Sequence, residues 1–204
     1  MGFHTYDVDR ADGLEDDSRF RYLSTDELLA LFDPRDGRAD DEREPLGAVA
    51  DLGSGTGFYT DEVAPYVDRV YAVDAQSEMH DYYREKGAPD AVEFVTAGIA
   101  DLPFADSDLD GAFSTMTYHE FADVAARGED APEDAALAEL ARVLRPGARL
   151  GIADWTRNGE GREGPPREER FALADAVGAL EANGFAVEYA DERRETFVVR
   201  ARRS

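Results

Sequence analysis

The first residues in this chain whose types and spacing could do chemistry are two carboxylates and three glycines. Asp51-Leu52-Gly53-Ser54-Gly55-Thr56-Gly57 follows a short apolar run, and Asp74 closes a second one 21 residues after Gly53. Glycines at alternate positions let a backbone turn sharply and approach a ligand closely. A carboxylate at the end of the next strand can accept both hydroxyl hydrogens of a ribose. Together these features describe a nucleoside-containing cofactor lying across two strand ends. A dinucleotide site is spaced G-x-G-x-x-G, with a pyrophosphate at a helix N-terminus. Here the spacing is G-x-G-x-G, and Asp51 in front of it would repel a pyrophosphate. The acid suits a cofactor with cationic groups and no phosphate. S-adenosylmethionine (SAM), with its sulfonium, ammonium and ribose, meets that description.

The elements that must position these residues read as an alternation. Ala48 to Leu52, Val70 to Asp74, Val92 to Val95, Gly111 to Ser114 and Leu150 to Ala153 are short apolar runs that suit buried strands. Between them, helices are expected over Thr60–Val67, limited by Pro65, and over Ser77–Lys86, with Ser77 as cap and Gly87 as stop. A further helix is expected from Pro132 to Leu144, closed by Arg145-Pro146-Gly147. Gly159 to Pro166 reads as a flexible segment, and Phe171 to Ala182 as a helix closed by Asn183-Gly184. Phe185–Tyr189 and Thr196–Val199 read as two last strands joined in a hairpin. Near the start, Ser24-Thr25-Asp26-Glu27 fits a capping box ahead of Leu28, Leu29, Leu31 and Phe32, with Pro34 as the stop. Residues 35–45 read as a charged loop. Strands alternating with helices predict an α/β fold with a mostly parallel sheet covered on both faces. Ligands in such sheets bind beyond the carboxyl ends of the strands. Residues 1–45 are taken as an N-terminal helical cap and residues 46–204 as the main domain of a single globular unit.

Composition narrows the partners. The chain has 204 residues, 46 acids against 22 bases, and a formal charge of -24. A nucleic-acid binder wants a basic face, and an anionic membrane attracts basic segments, so neither partner is expected. The acids are dispersed, and Lys86 is the sole lysine. This pattern matches a protein adapted to high salt. At about 1 M salt the Debye length is roughly 3 Å, and repulsion among surface carboxylates nearly vanishes. With no cysteine, disulfides, thiolate nucleophiles and Cys-ligated zinc are excluded. With three histidines, a structural zinc site is not expected. No apolar run approaches 18 residues and the N-terminus lacks the regions of a signal peptide. The expected location is the cytoplasm, as a monomer with no obligate protein partner.

The chain resembles class I SAM-dependent methyltransferases over most of its length. The likeness rests on Ala50 to Phe58, Val73-Asp74, Ala100-Asp101-Leu102-Pro103-Phe104, Tyr118-His119-Glu120-Phe121 and Leu140 to Gly147. It looks closest to the ubiquinone/menaquinone-biosynthesis-like (methyltransferase type 11) group. Asp154-Trp155 with Gly164 to Arg170, and the opening Leu14-Glu15-Asp16 to Leu23-Ser24, are similar to small members of that group. The resemblance implies a Rossmann-like seven-stranded sheet ending in an antiparallel hairpin. It implies that Gly53, Ser54, Gly55 and Gly57 line the methionine part of SAM. It also implies that Asp51 lies near the cofactor's amino group, and that Asp74, with Ala75 beside it, holds the ribose. Where the family often carries an acid for the adenine amino group, this chain has Gly98. Adenine recognition then falls to the backbone at Ile99 and to Asp101 or another residue nearby, with Asp101 reading equally as one of the dispersed surface acids.

The family places the transferred methyl near the end of strand four, at Ser114 to His119. Methyl transfer is an in-line displacement, and alignment supplies much of its rate. A base is needed only when the acceptor loses a proton, and His119 is the candidate. Glu120 reads as a solvated helix residue and His80 as a surface residue. Met116 reads as pocket-lining or core. Trp155 either walls the acceptor pocket or packs beneath the 159–166 segment. His4 and Tyr6 belong to a segment that in the resembling proteins can cover the cofactor. The motif of amino-methylating DNA enzymes is absent, so a small-molecule acceptor is expected. The alternatives are a SAM-binding module without catalysis and a nicotinamide-dependent dehydrogenase.

Overall fold

The computed structural model describes residues 6–32, 46–122 and 134–204. Seven strands form one sheet: β1 (Leu46–Leu52), β2 (Val67–Asp74), β3 (Val92–Thr96), β4 (Leu109–Thr115), β5 (Leu144–Trp155), β6 (Phe185–Glu192) and β7 (Thr196–Arg203). Their order is β3-β2-β1-β4-β5-β7-β6. The first five run parallel, and β7 pairs antiparallel with both β5 and β6. The order reverses between β1 and β4, so the crevice beyond those strand ends is where such a sheet binds ligands. The expected seven-stranded sheet with its terminal hairpin is the one observed.

Alternation along each strand feeds two cores. Ala50 and Leu52 of β1 and Ala112 of β4 join Leu102, Leu137, Leu140 and Leu180 on one face. Val49 of β1 and Phe113 of β4 join Leu28, Phe32 and Val63 on the other. Successive side chains of a strand point to opposite faces. With both faces covered, the strands read as unbroken apolar runs.

The helices are α1 (Thr25–Phe32), α2 (Phe58–Val63), α3 (Ser77–Lys86), α4 (Tyr118–Phe121), α5 (Ala135–Val143) and α6 (Leu173–Ala182). The capping box ahead of α1 forms: the Glu27 amide donates to Ser24 Oγ, and Glu27 Oε2 accepts from the Ser24 amide. The expected stop at Pro34 and the 35–45 loop lie outside the described residues, as does Pro132. Asp134 caps α5 by accepting from the Ala136 and Leu137 amides.

Several boundaries differ from expectation, each for a local reason. α2 begins at Phe58, directly after left-handed Gly57. Pro65 turns the chain into a 3-10 segment, Ala64–Tyr66, because proline removes a helical donor. Val67 is already in β2, opposite Leu46. Ser77 is the first residue of α3 rather than its cap, which is Gln76. β5 starts six residues early because Leu144 pairs with Leu109 ahead of a register shift. Irregular strand of this kind accommodates Pro146 and Gly147. Phe171 bridges to Thr156 instead of opening α6.

Two further expectations are corrected. His80 is fully buried on α3, with Nδ1 3.1 Å from Thr96 Oγ1 and its ring 5.2 Å from that of Phe94. It shares the inward face of α3 with Met79 and Tyr83. The 159–166 segment is anchored: the buried Arg170 guanidinium donates to the carbonyls of Pro165, Thr156 and Glu163.

Candidate functional site

The glycine turn links the ends of β1 and β2. The Gly53 and Ser54 amides both donate to the Val73 carbonyl, at 2.8 and 2.9 Å. Gly53, Gly55 and Gly57 all have positive φ, a region that side chains other than glycine rarely adopt. Two of them also meet close neighbours. A Cβ on Gly53 would lie 2.2 Å from Thr117 Cγ2, and one on Gly57 would lie 2.1 Å from the Tyr83 ring. Gly55 has room, with Leu14 Cδ1 of the N-terminal segment 3.5 Å from the same point. The spacing thus serves the packing of the protein as well as access to a ligand.

Asp74 spans the gap between the two strand ends. Its Oδ2 accepts from the Gly55 amide and its Oδ1 from the Gln76 amide, both at 2.9 Å. Ala75 follows it, exposed. Gln76 Nε2 donates to the Tyr6 carbonyl at 3.2 Å, which brings Tyr6 over the end of β2. His4 lies outside the described residues.

Asp51 is the most unusual group of the set. It is fully buried at the end of β1, where its Oδ2 accepts from Thr60 Oγ1 at 2.6 Å. Oδ1 has no partner among the described residues. Burial pushes its carboxyl up to about 7, against the Thr60 hydrogen bond and with help from the charge of Asp74. A buried carboxylate without full pairing is costly. The neighbouring Ser54 Oγ and, at the end of β4, Ser114 Oγ are likewise buried without a partner among the described residues. Such orphaned atoms at a switch point fit a polar, cationic ligand group.

At the end of β3, Gly98 is exposed with open space around its Cβ position, while Ile99 is buried. The Asp101 amide closes a turn onto the Gly98 carbonyl, and the Asp101 side chain is exposed.

The end of β4 carries a strained turn. Met116 has φ +59 and donates its amide to the Ala153 carbonyl at 2.7 Å. A non-glycine residue held there costs about 1–3 kcal/mol and is typical of functional turns. Beyond it His119 is buried, with its Nδ1 2.9 Å from Asp154 Oδ1 and its amide donating to Asp154 Oδ2 at 2.6 Å. Asp154, fully buried, also accepts from the Trp155 amide. The carboxylate thereby keeps the proton on Nδ1 and leaves Nε2 to take or give one. Burial disfavours the imidazolium, but the charge and hydrogen bond of Asp154, with Glu120 and Glu169, outweigh it and raise the imidazole above its ordinary value. Glu120 is not solvated as expected. It is half-buried, 4.0 Å from His119 Nε2, and pushed up to about 7 by desolvation, against the attraction of His119 and with Asp74 and Asp154 adding to the rise.

Of the two readings of Trp155, the geometry is that of a ring beneath the 159–166 segment. A Cβ on Gly164 would lie 2.5 Å from the indole, and Tyr22 stands edge-on at 4.8 Å. Sequence reasoning missed Asp154 as the partner of His119. In a chain with 46 acids, one more at a strand end carries no distinguishing signal. No metal-binding cluster occurs, and no helix is long and apolar enough to cross a membrane, among the described residues.

Comparison with known proteins follows the same lines. Residues 50–152 match the family model described as a methyltransferase domain. A biotin biosynthesis bifunctional protein, BioHC, of Cellvibrio japonicus is 38% identical over 105 residues, covering 52% of this chain and 19% of that protein. A demethylmenaquinone methyltransferase of Corynebacterium kroppenstedtii is 31% identical over 113 residues, 55% of this chain and 44% of its own length. The chain thus spans less than half the length of these curated relatives. Among solved structures, a SAM-dependent methyltransferase from Aquifex aeolicus superposes with a TM-score of 0.75 at 29% identity, covering 98% of this chain and all of the other.

Proposed function

This chain belongs to the methyltransferase domain family and carries its SAM-dependent methyltransferase fold, and on that premise we propose that the protein moves a methyl group from SAM to a small-molecule acceptor by in-line displacement. The observation that carries the reading is Asp51, buried at the switch point with one carboxylate oxygen open. SAM, when bound, supplies an electrophilic methyl on a sulfonium. Asp51 would take the ammonium of its methionine part. Asp74 would take the ribose hydroxyls, and the open space at Gly98, beside buried Ile99, leaves room for the base. Residues 1–45 would act as a cap, with Leu14 over Gly55 and Tyr6 over the end of β2.

The acceptor side rests on the turn after β4. Met116 and Thr117 would shape the floor on which the acceptor is aligned. His119, with Nδ1 held by Asp154, would accept the acceptor's proton at Nε2. Glu120 beside it would keep the resulting imidazolium compensated. Groups around His119 are acidic, which favours an acceptor atom that stays neutral until its proton passes to Nε2. The dispersed acids and single lysine support a protein that works in concentrated salt.

The test is calorimetry with SAM, followed by transfer of labelled methyl to a panel of phenols, amines and quinols. SAM binding with transfer sustains the proposal. Binding with transfer to none of them favours a binding module, and NADH binding in place of SAM favours a dehydrogenase.

A further inference from the structure

A second concave feature lies outside the cofactor crevice. It is a cavity of about 380 Å³ formed where three distant segments meet: Arg21 and Tyr22, Arg162 and Glu163, and Arg193 to Thr196. Four arginines and two acids line it, in a chain whose formal charge is -24.

The acids are already engaged. Glu163 accepts from Arg21 and from the Tyr22 hydroxyl. Glu195 Oε2 accepts from the Gly161 amide and lies 3.7 Å from the buried Arg170. Arg193 donates to the Tyr22 carbonyl and to Glu27. The remaining two arginines share one carboxylate. Arg194 Nε meets Glu160 Oε1 at 2.7 Å, and Arg162 Nε meets Glu160 Oε2 at 2.8 Å. Two guanidinium groups are thus held side by side by a single negative charge. Their terminal Nη groups have no partner among the described residues, and the two side chains are 70% and 73% exposed. Paired N–H forks of this kind match the oxygens of a carboxylate or phosphate.

We propose that this cavity binds the anionic group of a small molecule, a carboxylate or phosphate, through the free forks of Arg162 and Arg194. The cavity adjoins the end of β5, which carries the aspartate that holds the base. Tyr22 packs on Trp155, Thr196 pairs with Trp155 in the sheet, and Trp155 follows the aspartate that holds His119. Resting on the methyl-transfer reading above, the anionic group is the acidic end of the acceptor, held away from the acidic surroundings of His119. The net charge of the chain does not oppose this in concentrated salt, where only contacts within a few ångströms are felt.

The test titrates inorganic phosphate into the full chain and into the Arg162→Gln/Arg194→Gln double variant, by calorimetry in low salt and in about 1 M KCl. Both residues are exposed, and a thermal melt checks that the variant folds. Saturable one-to-one binding that weakens about tenfold or more in the variant is the expected result, for the loss of two charge-assisted contacts. Phosphate that does not bind, or binds the variant equally, overturns the proposal. SAM binding is measured on the same samples and is expected to be unchanged. SAM failing to bind both proteins would remove the methyl-transfer reading and leave the anion result standing. Two matched acceptors, 4-hydroxybenzoate and 4-hydroxybenzamide, separate the sources of the anion. A preference for the acid that the double variant abolishes sustains the acceptor assignment. Absence of any preference overturns it and assigns the cavity to a free anion.

Discussion

Protonation of Asp51 should couple cofactor binding to pH, and the size of the effect follows from its surroundings. The carboxyl is raised to about 7 from an ordinary 3.8. At 1.36 kcal/mol per tenfold change, that difference corresponds to roughly 4 kcal/mol. A group whose value is raised on folding contributes stability below its ordinary value and loses it as pH rises through the raised one. The unliganded protein should therefore lose up to about 4 kcal/mol from this group between about pH 4 and pH 7. An ammonium placed at the open Oδ1 favours the carboxylate and returns the value downward. Binding then releases a proton: close to one at about pH 6 and about a tenth of one at about pH 8. Affinity should rise by up to about tenfold per pH unit below 7, and decline once the ligand's own α-amino group deprotonates near 7.7–8.0. Calorimetry in two buffers of different ionisation enthalpy measures the released proton directly. Asp51→Asn keeps the volume and removes the charge. It should weaken SAM binding at pH 7.5 by about tenfold or more, remove this group's share of the proton release, and raise the stability of the unliganded protein at pH 8. Glu120 also titrates near 7, and the variant separates its share. An asparagine variant that binds SAM normally and is less stable at pH 8 would refute the reasoning, because Asp51 would then be a structural acid.

Asp154→Asn should lower the pH at which the His119 imidazole titrates, followed by NMR. It should depress turnover by about 10²-fold with SAM affinity retained; an unchanged titration would free His119 from Asp154. Gly57→Ala should cost about 2 kcal/mol or more in a denaturant melt, since it combines a strained φ with a clash against Tyr83, and Gly87→Ala, which meets only open space, should cost less. The unfolding midpoint should climb with KCl up to molar concentrations as carboxylate repulsion is screened. Full stability in dilute buffer would count against adaptation to salt.

What the sequence determined by itself was local or periodic. Apolar runs of strand length, the Ser24 and Glu27 capping box, the glycine turn and the position of Asp74 all depend on residues close together in the chain, so spacing alone reveals them. The sheet and its terminal hairpin follow from the order of those elements. The outcome was different wherever a property depends on what packs around a side chain. His80 and Glu120 carry the residue types of a surface, yet helix phase and the neighbouring strands bury the first and half-bury the second. Asp51 sits where the spacing put it, but its rise to about 7 comes from complete burial. The His119 and Asp154 pair spans 35 residues, and the arginine cavity joins position 21 to positions 162 and 194. Such groups meet only after the sheet has formed. In a chain with one acid in every four or five residues, composition cannot mark which of them will lie beside a histidine or an arginine. Desolvation and proximity in space decide that, and both exist only in the folded protein.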